Sequence, residues 1–316
     1  MQLDFENAIV EIEQKLAELT KAGDTPDETA AAAILELKGK LEAAKKEVYA
    51  NLTPWQTVQV ARHSNRPLLR DYIAGLCSEF IELHGDRCFG DDHGIVGGFA
   101  TIEKHRVMLV GHQKGKTVEE NVKVNFGMAN PEGYRKALRL MRLAEKFGIP
   151  ILSFVDTPGA YPGLEAEARG QAEAIAKNLT EMSRLKVPII VLITGEGGSG
   201  GALGIAVGDV VVMLSNAVYS VISPEGCASI LWRDGSKAPE AAAALKVTAQ
   251  SLIELGVVDE IIPEPPGGAH RDYEATMLAV KACLSKHLKR LKGVNRKKLV
   301  DRRYAKFAQM GRFKKR

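Results

Sequence analysis

Apolar residues recur at three- and four-residue steps at the start of the chain: Phe5, Ile9, Ile12, Leu16 and Leu19, then Ile34, Leu37, Leu41, Ala44 and Val48. Such spacing lays one narrow apolar stripe along each of two helices. Between them lies Ala22-Gly23-Asp24-Thr25-Pro26-Asp27-Glu28. Thr25 is a good N-cap, Pro26 suits the first helical position, and Glu28 completes a capping box. The pattern predicts a helical hairpin over residues 1–50. It is too small to be stable alone, so it must pack on the body of the chain or on a partner.

From about residue 100 the pattern changes. Short apolar runs at 107–111, 150–156, 188–194, 209–214 and 257–262 alternate with helical periods at 132–147, 165–185 and 240–255. Strand–helix alternation of this kind predicts an α/β layered body with much parallel pairing. Sheets built this way bind ligands beyond the carboxyl ends of their strands. No internal repeat is visible.

Composition narrows the class. In 316 residues, 45% are hydrophobic and 26% charged, as in ordinary globular proteins. No apolar run approaches the ~18 residues of a membrane span. The start of the chain, residues 1–13, is acidic and amphipathic, unlike a secretory or transit segment. Cys77, Cys88, Cys227 and Cys283 have neither C-x-x-C spacing nor clustered histidines. A disulfide framework or a metal site is therefore not expected, and a reducing cytosol is the natural compartment. Residues 286–316 hold 14 Lys/Arg and one acid, Asp301. That tail carries +13 and leaves the rest of a +4 chain at −9. A solvated basic helix docking on an acidic partner fits this charge, and so does contact with nucleic acid.

Two glycine-rich turns sit at strand ends: Asp156-Thr157-Pro158-Gly159-Ala160-Tyr161-Pro162-Gly163, and Gly195-Glu196-Gly197-Gly198-Ser199-Gly200-Gly201-Ala202. The second joins a strand at 189–193 to a small-residue helix at 202–207. N–H groups at a helix start have no intrahelical acceptor and favour negative charge, so this is an anion cradle or an oxyanion hole. Close helix-to-sheet packing would also call for small residues. Five glycines in the seven positions 195–201 exceed that need.

Other chemistries share parts of the pattern. Gly197-Gly198-Ser199-Gly200-Gly201 satisfies the serine-hydrolase motif G-x-S-x-G, with Asp209 or Asp234 and then His270 in a workable order. A glycine-saturated pentapeptide matches that motif easily. Gly111-His112-Gln113-Lys114-Gly115-Lys116-Thr117 resembles a P-loop of a GTPase, but it has three residues between its glycines where four are needed. No guanine-reading Asn-Lys-x-Asp follows, and no G-x-G-x-x-G follows the first plausible strand. Lys114 and Lys116 could meet an anionic group or face solvent.

Several long stretches together resemble one family, the alpha subunit of the carboxyltransferase of bacterial multi-subunit acetyl-CoA carboxylase. They are Glu82-Leu83-His84-Gly85-Asp86-Arg87, Gly111 to Gly115, Asn125-Phe126-Gly127-Met128, Pro131 to Arg139, Asp156 to Gly163, Arg169-Gly170-Gln171, Gly195 to Leu203, and Tyr219 to Trp232. Ala168 departs from the Glu expected there, and Glu119-Glu120 falls in a variable stretch; neither touches the glycine turns. The resemblance implies a crotonase-like (ClpP/crotonase) spiral of ββα units over residues 51–285, flanked by the hairpin and a basic helical tail at 286–316. It implies an α2β2 heterotetramer with a beta subunit that carries a zinc ribbon and most of the acyl-CoA site. It also implies carboxybiotin delivered by biotin carboxyl carrier protein, charged by biotin carboxylase, and carboxyl transfer to acetyl-CoA. The product is malonyl-CoA, the first committed compound of fatty acid synthesis.

Two charges need stabilising in such a transfer, one on the ureido oxygen of biotin and one on the thioester oxygen. Fixed backbone amides stabilise such oxygens by roughly 3–4 kcal/mol for a well-placed donor. The biotin anion can itself serve as base, so no catalytic His or carboxylate pair is required. The resemblance thus points to Gly200 and Gly201 as ureido-oxygen donors, with Gly159 and Ala160 as complement. Gly197, Gly198, Ser199, Tyr161, Pro162 and Gly163 are expected to line the cofactor site. A side chain at Gly201 is expected to obstruct that oxygen and to reduce turnover far more than stability.

Overall fold

A computed structural model of the chain describes residues 3–21 and 28–311. The expected cap at Thr25 and Pro26 lies outside them. Helices α1 (Asn7–Lys21) and α2 (Glu28–Ala50) pack along one another as the hairpin. Its stripe positions are half-buried, and Ile9 is fully buried. At its base Leu3 and Glu6 are buried against the body. Glu6 accepts from the Tyr49 hydroxyl (2.5 Å) and pairs with Arg271 (3.2 Å).

The body begins with α3 (Pro54–Ala61), opened by a capping box in which Thr53 and Gln56 bond reciprocally. Then come α4 (Leu69–Leu76) and a meander of β1 (Glu79–Glu82), β2 (Ile95–Ile102) and β3 (His105–His112). Next are α5 (Val118–Lys123), α6 (Pro131–Phe147), β4 (Ile151–Thr157), α7 (Leu164–Ala168), α8 (Gln171–Arg184), β5 (Ile189–Gly198) and α9 (Ser199–Leu203). They lead to β6 (Val210–Leu214), β7 (Val218–Ser220), α10 (Pro224–Trp232), α11 (Ala238–Leu245), α12 (Ala249–Glu254) and β8 (Glu260–Ile262). Helices α13 (Tyr273–Leu291) and α14 (Arg296–Ala308) close the chain.

The strands form one sheet in the order β1-β2-β3-β4-β5-β6-β8, antiparallel up to β3 and parallel from there, with β7 pairing the far end of β5. Every residue of β4 and β6 is buried. Parallel strands covered on both faces read as unbroken apolar runs, which is why these runs stand out in the sequence. Helix α6 turns Tyr134, Ala137, Leu140, Met141 and Ala144 into the core and stops at Gly148, at φ +67°.

Three helical expectations change. The period at 165–185 is two helices, because Gly170 adopts φ +83° and caps α8 from the left-handed region. The period at 240–255 is broken at Lys246, φ +53°, where Val247 accepts from Tyr219 N and Thr248 bridges to Val218. The small-residue helix begins at Ser199 and ends at Leu203, whereas 202–207 was expected. Strand β5 itself runs on to Gly198.

The proposed boundary at 285/286 falls inside α13. Beyond it, α14 buries Leu299 and Arg303 on the body. Arg303 donates to both carboxylate oxygens of Asp209 (3.0 and 2.7 Å) and to the carbonyls of Met182, Leu185 and Val187. Lys306 pairs with Asp259, and Lys286 with Glu260 at 2.8 Å. Part of the acidic partner for the basic segment is therefore the chain's own body.

Candidate active site at two touching turns

The two glycine-rich turns meet at the carboxyl ends of β4 and β5. A Cβ placed on Gly201 would lie 2.3 Å from the Gly159 carbonyl carbon and 2.5 Å from Ala160 N. One on Gly198 would lie 2.1 Å from the Pro158 oxygen. Only bare backbone allows this approach. Gly159 and Gly200 differ: a Cβ on Gly159 meets nothing within 4 Å, and one on Gly200 only the Ile175 side chain at 3.7 Å. The expectation that a Gly201 side chain would mainly obstruct ligand is thus corrected, because it would first strike the facing turn.

The amides sort into two kinds. Gly159 N donates to Thr157 Oγ1 (3.1 Å), which itself donates to Gly159 O (2.6 Å). Tyr161 N donates to the Ala129 carbonyl, and Gln171 Nε2 bonds both Ala129 O and Tyr161 O. Ala160 N has no acceptor among the described residues. It lies against the first turn of α9, whose N–H groups at residues 199–201 precede any intrahelical acceptor. Pro162 is exposed, and Gly163 precedes α7 with its Cα against the Tyr161 ring. Gly197 packs on the Tyr219 ring.

A group of charges lies below the turns. Lys114 Nζ bonds Asp156 Oδ1 (2.7 Å) and Glu196 Oε2 (3.0 Å), and Arg62 Nε bonds Glu196 Oε1 (2.7 Å). Burial pushes the Glu196 carboxyl up, but Lys114 and Arg62 outweigh it and hold the group at about 2. Lys114 is therefore held by two carboxylates and is not a free anion contact, while Lys116 pairs with Asp71 at 2.7 Å. The sequence reading missed this group. Its only signal was an acid in each glycine turn, Asp156 and Glu196. His112 is buried, and burial with the nearby Lys114 charge pushes it down to about 3, so it stays neutral.

The rival chemistries lose their parts. Ser199 does take a left-handed turn, φ +48°. However, Asp209 is held by Arg303, Asp234 caps Ser236, and His270 stacks on His63 at 4.1 Å facing Glu6. No triad forms around Ser199 among the described residues. Thr117 caps α5 through Glu120 N, and Lys116 faces Asp71, so no phosphate loop surrounds Gly115. Away from the turns, Glu260, Cys283 and His287 form a cluster of metal-ligand type. The Glu260 carboxylate is already paired with Lys286, and burial beside it pushes the Cys283 thiol up to about 12, which disfavours the thiolate a metal needs.

Known structures share this architecture. The transcarboxylase 12S core with methylmalonyl-coenzyme A and methylmalonic acid bound superposes with TM-score 0.55 at 24% identity, over 69% of this chain and 42% of that one. A Pseudomonas malonate decarboxylase hetero-tetramer in complex with coenzyme A gives 0.59 at 19% identity, over 74% and 90%. The fold is that of the crotonase-like carboxyltransferases. A family model described as acetyl co-enzyme A carboxylase carboxyltransferase-like matches residues 2–311. The acetyl-coenzyme A carboxylase carboxyl transferase subunit alpha of Geobacter metallireducens is 57% identical over 313 residues, covering 99% of this chain and 98% of its own. That of Thermus thermophilus is 54% identical over 313 residues, 99% of each. The chain belongs to the acetyl-CoA carboxylase carboxyltransferase alpha-subunit family.

Proposed function

We propose that this chain presents carboxybiotin for transfer to acetyl-CoA held largely by a beta subunit, giving malonyl-CoA. The carrying observation is the contact of the two turns, which sets the unpaired Ala160 N–H beside the first-turn amides at residues 199–201. The residues fit the cofactor: a free amide, open space at Gly159, and only the Ile175 side chain, at 3.7 Å, beside Gly200. Carboxybiotin supplies an activated carboxyl group and leaves negative charge on its ureido oxygen. Ala160 N, with Gly200 N or Gly201 N, donates to that oxygen. Gly159 N, engaged by Thr157, shapes the turn. Tyr161 and Pro162 flank the entrance.

The two turns bring together one such amide pair, and transfer needs two stabilised oxygens, so a partner completes the site. Helix α10 leaves Ile230, Leu231 and Trp232 exposed, with Val221 just before it, and its Glu225 bonds Arg62 of the charged group. That face suits an α2β2 assembly in which zinc belongs to the beta subunit. A biotin carboxyl carrier protein and biotin carboxylase supply the donor. No described helix is long and apolar enough to cross a membrane; the cytoplasmic location we propose rests on the family. The test is malonyl-CoA formation by the chain alone and with the beta subunit. Activity is expected only in the mixture; full activity of the isolated chain overturns the division of labour.

A further inference from the structure

The β4–β5 ladder is regular up to Val155↔Ile193 and resumes only at Thr157↔Gly197. One residue of β4, Asp156, therefore faces three of β5: Thr194, Gly195 and Glu196. A bulge of this size leaves backbone groups without ladder partners and bends the strand. Side chains supply the missing partners. Thr194 Oγ1 donates to Val155 O, and Arg66 Nη2 donates to Thr194 O (2.7 Å). Asp156 Oδ1 accepts from Glu196 N (3.0 Å). Gly195 must be bare, since a Cβ there would lie 2.5 Å from that same carboxylate oxygen.

Both turns leave the sheet from this bulge: Ala160 four residues after Asp156, and Gly200 four after Glu196. One ammonium joins the two carboxylates. Lys114 Nζ reaches Asp156 at 2.7 Å and Glu196 at 3.0 Å, with its side chain 17% exposed. Its stem is covered by a segment in which Asn125, Phe126 and Gly127 all take positive φ (47°, 56° and 78°). A Cβ on Gly127 would lie 2.8 Å from Lys114 Cγ. Two successive non-glycine residues in the left-handed region, Asn125 and Phe126, are strained backbone, kept where the surroundings enforce it.

We propose that Lys114 is a positioning residue for the amide pair: it clamps the bulge between Asp156 and Glu196 and so fixes the spacing of Ala160 from the first turn of α9. The effect on turnover rests on the reaction proposed above; the clamp itself does not. Lys114 and Arg62 together balance Asp156 and Glu196, the buried Arg66–Glu264 pair beside the bulge balances itself, and His112 beside Lys114 is uncharged, so the group beneath the turns is neutral apart from Glu225 on the far side of Arg62. Without Lys114 an unbalanced negative charge sits under a site where negative charge must develop, and the two carboxylates push the turns apart.

Two arms test this. In the full chain, amide exchange read by mass spectrometry over residues 157–163 and 194–203 should quicken in Lys114→Met and slow again in Lys114→Met/Glu196→Gln. In the complex with beta subunit, Lys114→Met should lower kcat by about 10- to 100-fold, the scale of a small misplacement of reacting groups. KM for acyl-CoA should be unchanged. The residual kcat should rise toward acid pH, as a freed carboxyl takes a proton, and the double variant should regain most of the loss. Should the single variant fail to fold, the folded double variant still has to match wild-type exchange and approach wild-type kcat. Unchanged exchange in Lys114→Met overturns the clamp. Faster exchange with unaltered kcat, or a kcat loss that neither acid pH nor Glu196→Gln relieves, overturns the positioning role. Faster exchange in a chain whose wild-type complex transfers no carboxyl supports the clamp and sinks the reaction instead.

Discussion

Gly201 and Gly159 face each other across the site and should respond to side chains in opposite ways. A Cβ on Gly201 would sit 2.3–2.6 Å from three backbone atoms of Gly159 and Ala160. Backbone cannot step aside as a flexible side chain does, so Gly201→Ala must part the turns. Overpacking of this kind costs about 1–3 kcal/mol, or roughly 2–10 °C in Tm. On the proposed reaction, parting the turns also withdraws a donor from the ureido oxygen, which is worth about 100- to 1,000-fold in rate. Gly201→Ala should therefore lower both Tm and turnover. A Cβ on Gly159 meets nothing within 4 Å, and its φ is not left-handed. Gly159 is half-buried, but the open space around its Cβ position means that Gly159→Val should keep Tm within about 2 °C. On the proposed reaction it should still lower turnover, because it adds a branched side chain to the turn that carries Ala160 N. The assay is the melting temperature of the reconstituted complex beside its carboxyl transfer from malonyl-CoA to free biotin. Wild-type Tm and turnover in Gly201→Ala would refute the close approach. Normal turnover in a folded Gly159→Val complex would refute that space as the substrate's.

Ser199→Ala should keep most carboxyl transfer, and Ser199 should resist a fluorophosphonate probe, since no base reaches it; labelling would revive the hydrolase reading. Burial pushes the Glu6 carboxyl up, but His270, Tyr49 and Arg271 outweigh it and hold it at about 2. Its stabilisation is thus fully present above the ordinary carboxyl value, near 4.5, and is lost as pH falls toward 2. Glu6→Gln should flatten the fall in Tm over that window, and parallel curves would refute the link. Arg303→Met strands Asp209 and should cost about 3–5 kcal/mol in denaturant unfolding; a change within error would mean the α14 dock is idle. Replacing Arg296, Lys297, Lys298 and Arg302, all exposed, by Gln should leave Tm unchanged; if the chain holds nucleic acid, it should also flatten the salt dependence of that binding.

Legibility followed the range of each interaction. Strands β4 and β6 were plain because burial on both faces writes a continuous apolar run. The hairpin stripes were plain for the same local reason. The breaks at Gly170 and Lys246 were not, since a helical period continues across a left-handed residue. Both glycine turns were visible, but the state of each amide was not. Gly159 and Ala160 differ only because the Thr157 hydroxyl folds back on the first. The charge clamp was hidden by distance along the chain, 42 residues from Lys114 to Asp156 and 82 to Glu196. The charge of the tail was legible. That Asp209, Asp259 and Glu260 of the body receive three of its cations depends on the order of strands in the sheet.

Packing and chemistry were competing explanations for five glycines at residues 195–201. The structure makes them one explanation at several positions. Gly195 leaves room for the Asp156 carboxylate, Gly198 for the Pro158 carbonyl, and Gly201 for the peptide between Gly159 and Ala160. Each is a packing requirement by itself. Their joint result is that two strand ends, displaced by a bulge, are pressed together until an unpaired amide of one turn lies against the first-turn amides of the other. An oxyanion site needs donors that are close, fixed and unpaired. Backbone contact supplies the first two properties, and the exhaustion of nearby acceptors supplies the third. A side chain at any of these three glycines would separate the amides before it met a ligand, so bareness here is how the packing would create the proposed site.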